Sequence, residues 1–193
     1  MSRNKVFNED NALDAAMRLF WKKGYEASSM QALEEVMGLK RSSIYNTFGN
    51  KRSLFKLAIE RYTQLVLSSF LCVINDSHTA NEAIRNVLGE VISLHFNKNN
   101  PGGCMVVLSL MESKQHDKET LHMLQSALKL LHITLVKRFE KAIVERDMDQ
   151  SVNCEALASE VTGLITGMIV MARANFSKSS LQLLIDNFLA SRV

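Results

Sequence analysis

An all-α fold in two parts, a small N-terminal three-helix module followed by a larger helical bundle, is what this chain of 193 residues predicts. Three observations carry the prediction. One proline and eight glycines leave long stretches without helix breakers, and apolar residues recur through them at intervals of three and four. Serine, threonine, aspartate or asparagine stands just ahead of most of those stretches, where a side-chain oxygen can satisfy the orphan N–H groups of a first helical turn. The hydrophobic content of 47% is ample for a core at this length. No repeat or flexible linker interrupts the pattern. The N-terminal MSRNKVFNED lacks the apolar core of a signal peptide, and the most apolar late stretch, Val161 to Ala172, has 12 residues, fewer than a bilayer span needs. The expectation is a cytoplasmic chain that does not enter a membrane.

The elements follow in order. A first helix runs from a cap at Asn8 through Leu13, Ala16, Met17 and Phe20 to Lys22 and Lys23, with acids leading and bases trailing as the helix dipole favours, and stops at Gly24. Ser28 and Gln31 have capping-box spacing, so a second helix starts at Ser28 or Ser29 and buries Met30, Leu33, Val36 and Met37. Gly38 reverses the chain and Leu39 points back against the pair. A third helix spans roughly Arg41 to Phe48, burying Ile44 and Phe48. Asn50 caps a long helix through Leu54, Phe55, Ala58, Tyr62, Leu65, Val66 and Phe70 to about Ile74, a rod between the two parts. A second capping box, Thr79 to Glu82, opens a helix ending near Asn97. After the turn NKNNPGG come a short helix from Cys104 to about Glu112 and a helix of some thirty residues capped by Asp117, with Leu121, Leu124, Leu128, Leu131, Leu135, Phe139 and Ile143 on one face. Asn153 caps a helix extending to Asn175, and Ser179 begins the last. The boundary between the parts falls at residues 1–50 and 51–193.

Residues 24–51 hold the chemistry. Two short helices joined by a tight turn, the second displaying Arg41, Ser42, Ser43, Tyr45, Asn46 and Thr47 off its buried stripe, are built like a DNA-reading helix-turn-helix, because these groups pair with phosphates and base edges. A solvated surface helix is the competing reading of the same string. Lys51 and Arg52 follow at a helix start, where they oppose the dipole unless a phosphate joins them. Residues 1–63 contain 11 Lys and Arg against 7 Asp and Glu, and the remainder 12 against 13, so the basic excess lies with the motif. Arg3 and Lys5 are candidates for a DNA-contacting arm or simply a basic terminus. No P-loop, dinucleotide fingerprint, nucleophile elbow or zinc-spaced Cys/His set occurs, and His95, His116, His122 and His132 lack ligand spacing. An enzyme, a cofactor and a metal are therefore not expected.

Gly24, Tyr25, Ser28, Ser29, Met30, Leu33, Met37, Gly38, Leu39, Lys40, Ser42, Ile44, Tyr45, Phe48 and Lys51 follow, in order and without a gap, the pattern of the TetR family of transcriptional regulators, which the first sixty or so residues resemble. The chain departs from that pattern at Lys40, in place of a serine, at Glu34, in place of a small residue, and at Gly49, in place of a frequent proline. Carried over position by position, the resemblance implies DNA contacts at Ser29, Lys40, Arg41, Ser42, Ser43, Tyr45, Asn46 and Lys51, with Tyr45 and Lys51 on phosphates. It also implies a ligand-responsive regulator, by family default a repressor, released from a palindromic operator by a small-molecule effector. A helical DNA-binding protein with an architectural or partner-docking role is the alternative.

The last two helices carry Leu157, Val161, Leu164, Ile165, Met168, Ile169, Leu181, Leu184, Ile185, Phe188 and Leu189, with Gly163 and Gly167 spaced for close helix approach. Packing within the chain and a four-helix interface between two copies both fit that pattern, and the resemblance favours the homodimer. Phe70, Phe96, Met105, Met111, Met123 and Leu128 are core residues or the lining of an effector cavity. Cys104 follows Pro101, Gly102 and Gly103 at a helix start, where the dipole favours a thiolate and the glycines leave access open, so it is a candidate effector-sensing residue as well as a small packed one. It resembles a Gly-Cys element in a subset of the family, some of whose members sense electrophiles. Cys72 and Cys154 are expected in the core, and three widely spaced cysteines argue against a disulfide framework.

Overall fold

The computed structural model describes residues 7–191, so Arg3 and Lys5 lie outside the described residues. The described residues form α1 (Glu9–Lys23), α2 (Met30–Met37), α3 (Arg41–Phe48), α4 (Lys51–Tyr62), α5 (Ser68–Asp76), α6 (Ala80–Phe96), α7 (Met105–Met111), α8 (Lys118–Val144), α9 (Cys154–Arg173) and α10 (Lys178–Ala190). The caps at Asn8, Asn50, Thr79, Asp117 and Asn153 accept from the N–H three residues on, as their spacing predicts. The last helix is capped by Ser177, two residues earlier than Ser179.

A small head forms because α1 carries apolar side chains on more than one stripe. Phe20 packs edge-on to Phe55 of α4, with ring centroids 5.0 Å apart, and Leu33, Ile44 and Phe48 close the space beneath. Val36 does not share that burial. It is 43% exposed, since its turn of α2 faces outward while Leu33 and Met37 face α1.

From α4 the chain runs through one π-helical turn, Thr63–Leu67, into α5, giving a helical rod with an inserted residue instead of a uniform helix. The hydroxyls of Thr63, Ser68 and Ser69 donate to carbonyls three or four residues back on either side of the insertion, a bonding pattern that bends helices. Its far end is fastened by the buried Arg138 of α8, which donates to the carbonyls of Ser77 (3.2 Å) and His78 (2.8 Å). Around the rod, α6, α8, α9 and α10 pack as a bundle.

Two helical stretches, Lys51–Asp76 and Cys154–Arg173, are long and apolar enough to cross a membrane, so the 12-residue reading of the late apolar stretch understated its helix. In the bundle, however, α9 buries Leu157, Val161, Ile165, Met168 and Ile169 against its neighbours. Most of the apolar residues named on α9 and α10 are in fact covered within the chain. What they leave outside is Val170, Phe176 and Leu183, together with the exposed Gly163 and Gly167, over which a side chain would meet open space.

Candidate nucleic-acid interface and effector cavity

The turn between α2 and α3 is closed by Gly38 at φ 64° and ψ 27°, with Leu39 N–H donating to Glu34 O (3.2 Å) and Gly38 N–H to Glu35 O (3.4 Å). That pair of bonds is a Schellman closure, which needs a residue at ease with positive φ. It sets α3 across α2 with Ile44 and Phe48 inward and Arg41, Ser42, Tyr45 and Asn46 outward, and Ser43 half-buried. Tyr45 is 47% exposed, an unusual position for an aromatic side chain with no partner surface.

The neighbouring residues divide between display and support. Ser29, not Ser28, caps α2, its Oγ accepting from Ala32 N–H (3.1 Å); Ser28 is buried and donates to Gly24 O (2.7 Å), so the capping box read from Ser28 and Gln31 is not formed. Lys40 sits at the cap position of α3 and makes no side-chain cap bond, leaving its ammonium exposed. Glu34, at the surface, pairs with Arg41 at 2.8 Å. Lys51 lies 4.5 Å over the Tyr25 ring and donates to Glu26 O (3.3 Å), holding the turn between α1 and α2. Arg52 is turned from the reading face toward Asp117 of the bundle (3.6 Å), which removes it from the proposed phosphate site.

Behind the head, α7 is tied to it at both ends. Trp21 Nε1 donates to Gly103 O (2.9 Å) just before α7, and Tyr25 N–H donates to the Glu112 carboxylate (3.0 Å) just after it. His116 stacks on Phe55, with centroids 5.2 Å apart. Neither of the two ties has a signal in local sequence, because each joins residues more than eighty positions apart.

Between α7, the rod, α8 and α9 lies an apolar cavity of about 30 Å³, lined by Tyr62, Leu67, Phe70, Cys104, Leu128 and Ile165 among others. Of the residues read as core or cavity lining, Phe70 and Leu128 line it. Met105 is buried elsewhere in the core, Met123 is half-buried, and Phe96 and Met111 are exposed. The Tyr62 hydroxyl is buried with no hydrogen-bond partner of good geometry, and burial beside Cys104 raises its pKa well above the phenolic norm.

Of the two readings of Cys104, the structure favours the small packed residue over the accessible thiolate. The residue keeps some surface, but Gly102 and Gly103 are buried, and burial pushes the thiol above its ordinary range; the neighbouring Tyr62 hydroxyl and the N–H groups of Val107 and Val106 pull the other way without prevailing. The dipole effect is present, and desolvation outweighs it. Cys72 is exposed on α5 and Cys154 half-buried, so neither sits in the core as expected.

A helix pair joined by a glycine turn and displaying cations, hydroxyls and an amide, braced on a helical body, defines a helix-turn-helix DNA-binding regulator. Residues 12–58 match the family model described as bacterial regulatory proteins, tetR family, and residues 80–188 that of the tetracyclin repressor-like C-terminal domain. The chain belongs to the TetR family of transcriptional regulators. It is similar to the HTH-type transcriptional repressor ComR of Escherichia coli (strain K12), 27% identical over 180 residues that cover 93% of this chain and 86% of that protein. The solved structure of a cysteine mutant of the TetR family regulator CifR complexed with 26bp operator DNA superposes with a TM-score of 0.90 at 26% identity, covering 99% of this chain and all of that one. Reduced E. coli NemR shares the fold, with a TM-score of 0.82 at 13% identity over 93% of this chain and 95% of that one.

Proposed function

We propose that this chain is an effector-released repressor that acts in the cytoplasm and binds a palindromic operator as a homodimer, with residues 1–50 reading DNA and 51–193 sensing and dimerising. The observation that carries the reading is the outward array on α3, where Lys40, Arg41, Ser42, Tyr45 and Asn46 are exposed together. Ser29, Ser43 and Lys51 border it, Ser29 at the start of α2 and Lys51 at the start of α4. That ComR, matched over most of its length, is a repressor, and that the CifR mutant was solved in complex with operator DNA, supports it. Tyr45 and Lys51 grip phosphates, the remaining side chains of α3 enter the major groove, and two copies place their reading helices roughly 34–36 Å apart.

Release follows from the cavity. A space of about 30 Å³ holds no more than a water or two, so an effector enters only if α7 moves outward. Because α7 is bonded to Trp21 and Tyr25 of the head, that movement shifts α1 and the reading helix with it. The walls select a small apolar molecule. Cys104 lies on that wall as a protonated thiol, poised to react with an electrophile once the cavity opens.

The test is fluorescence anisotropy of labelled DNA from upstream of this protein's own gene, against scrambled DNA at one fixed salt concentration. Native protein is expected to prefer its operator. Tyr45→Ala is expected to weaken operator binding about tenfold or more while the fold persists. Equal binding by the variant removes the reading face. Operator release by an electrophile is expected to fail in Cys104→Ser; release that persists in that variant restricts the effector to noncovalent binding.

A further inference from the structure

A second, larger cleft lies outside the reading face and the central cavity. It measures about 700 Å³ and runs between the head and the loop that joins α6 to α7. Arg18, Lys22 and Lys23 come to it from the last two turns of α1, and Lys98 from the loop across the cleft. Glu35 is the one carboxylate among its lining residues. None of the four cations forms an ion pair among the described residues, where seven other basic side chains do. Arg18 is held in place by donating to Asn99 O (2.7 Å), so the cleft's two walls are already bridged at one end.

The floor is apolar. Leu19 and Val36 lie along it, and Val36 leaves 43% of its surface exposed there. A surface of unpaired cations around an exposed aliphatic floor suits a ligand with an anionic group and an apolar body, since the charge gains partners without stranding a carboxylate and the body covers Val36.

We propose that this cleft between α1, α2 and the α6–α7 loop is a binding site for a small amphipathic anion, a carboxylate, sulfonate or phosphate ester carrying an apolar group. The inference does not depend on DNA binding, and the site shares no lining residue with the cavity beneath α7.

Two fluorescent probes of like shape separate charge from apolar contact: anilinonaphthalene sulfonate, an anion, and N-phenylnaphthylamine, which is uncharged. They are titrated into the full chain, into the double variant Lys22→Gln/Lys98→Gln, and into Val36→Glu. All three substituted positions are exposed, so the fold is retained. The double variant is expected to bind the sulfonate about tenfold more weakly and the neutral probe as before. Val36→Glu is expected to weaken the sulfonate as well, by placing a like charge on the floor. Sulfonate affinity equal to that of the native protein in either variant overturns the site, and so does a parallel loss of both probes in the double variant.

Discussion

Ser28 and Ser29 show how adjacent identical residues take different work from their surroundings. Ser29 has the extended backbone of a cap and its oxygen reaches the Ala32 N–H, while Ser28, one residue earlier, points into the head and bonds the Gly24 carbonyl. Sequence spacing favoured the wrong partner because a capping box is scored by intervals, whereas the cap is decided by which residue turns out of the helix. Asp117 has a sharper consequence. It accepts from the Thr120 N–H (2.8 Å) and faces Lys56 at 3.5 Å, and its pKa is lowered to about 2, chiefly by the bonds from Thr120 and then by Lys56. Its carboxylate therefore binds its proton less readily in the folded chain than in the unfolded one. The stability it contributes is complete above the ordinary carboxylate range and is lost as pH falls from about 4 toward 2. Asp117→Asn keeps a cap and removes this titration, so its stability is expected to decline less steeply than that of the native protein between those pH values. Chemical denaturation at a series of pH values checks this, and parallel curves refute it.

The α2–α3 turn is where one helix junction depends on one residue. Gly38 has no neighbour within 4 Å of the position a Cβ would occupy, so a side chain there meets no clash and any cost comes from the backbone alone. Gly38→Ala is expected to lose about 1–2 kcal/mol in urea denaturation, and Gly38→Asn less, because asparagine tolerates the left-handed region. Equal losses for the two would point to a packing role instead. The rod is different, because α4 and α5 read as one continuous helix in sequence and the π turn between them leaves no clear periodic mark. Its hydroxyl residues at 63, 68 and 69 are the only local trace. The inserted residue brings Tyr62, Leu67 and Phe70 to one wall of the central cavity, which a regular helix would spread further round its axis.

For the proposed homodimer, the outward faces of α9 and α10 are the surface that would meet the partner copy. Leu183 is 61% exposed, and with Val170 and the open glycines it forms the face we assign to the partner copy. Leu183→Glu is expected to convert the dimer to monomer in sedimentation velocity and to weaken operator binding with it, since one head holds only one half-site. A dimer that survives with native affinity places the interface elsewhere. The coupling between halves is likewise a property of the whole. Lys56, from the head side of the rod, pairs with both Asp117 at the cap of α8 and Glu119 in its first turn, while Glu112, just after α7, holds Tyr25.

Periodicity and cap residues were enough to place the helix ends within a residue or two, the break between α4 and α5 excepted, and to single out the polar outward face of α3, because these signals are local: a cap acts over three residues and an apolar stripe over one turn. The sequence alone also marked Gly38 as the pivot of the head, since few residues adopt its backbone conformation. What folding decided was everything set by partners distant along the chain. Val36 proved outward-facing, Arg41 found Glu34, Arg52 left the reading face for Asp117, and Cys104 exchanged the openness its glycines suggested for a buried cavity wall. Burial and pairing arise where separate helices meet, and a one-dimensional pattern fixes which side of a helix is apolar without fixing which neighbour covers it.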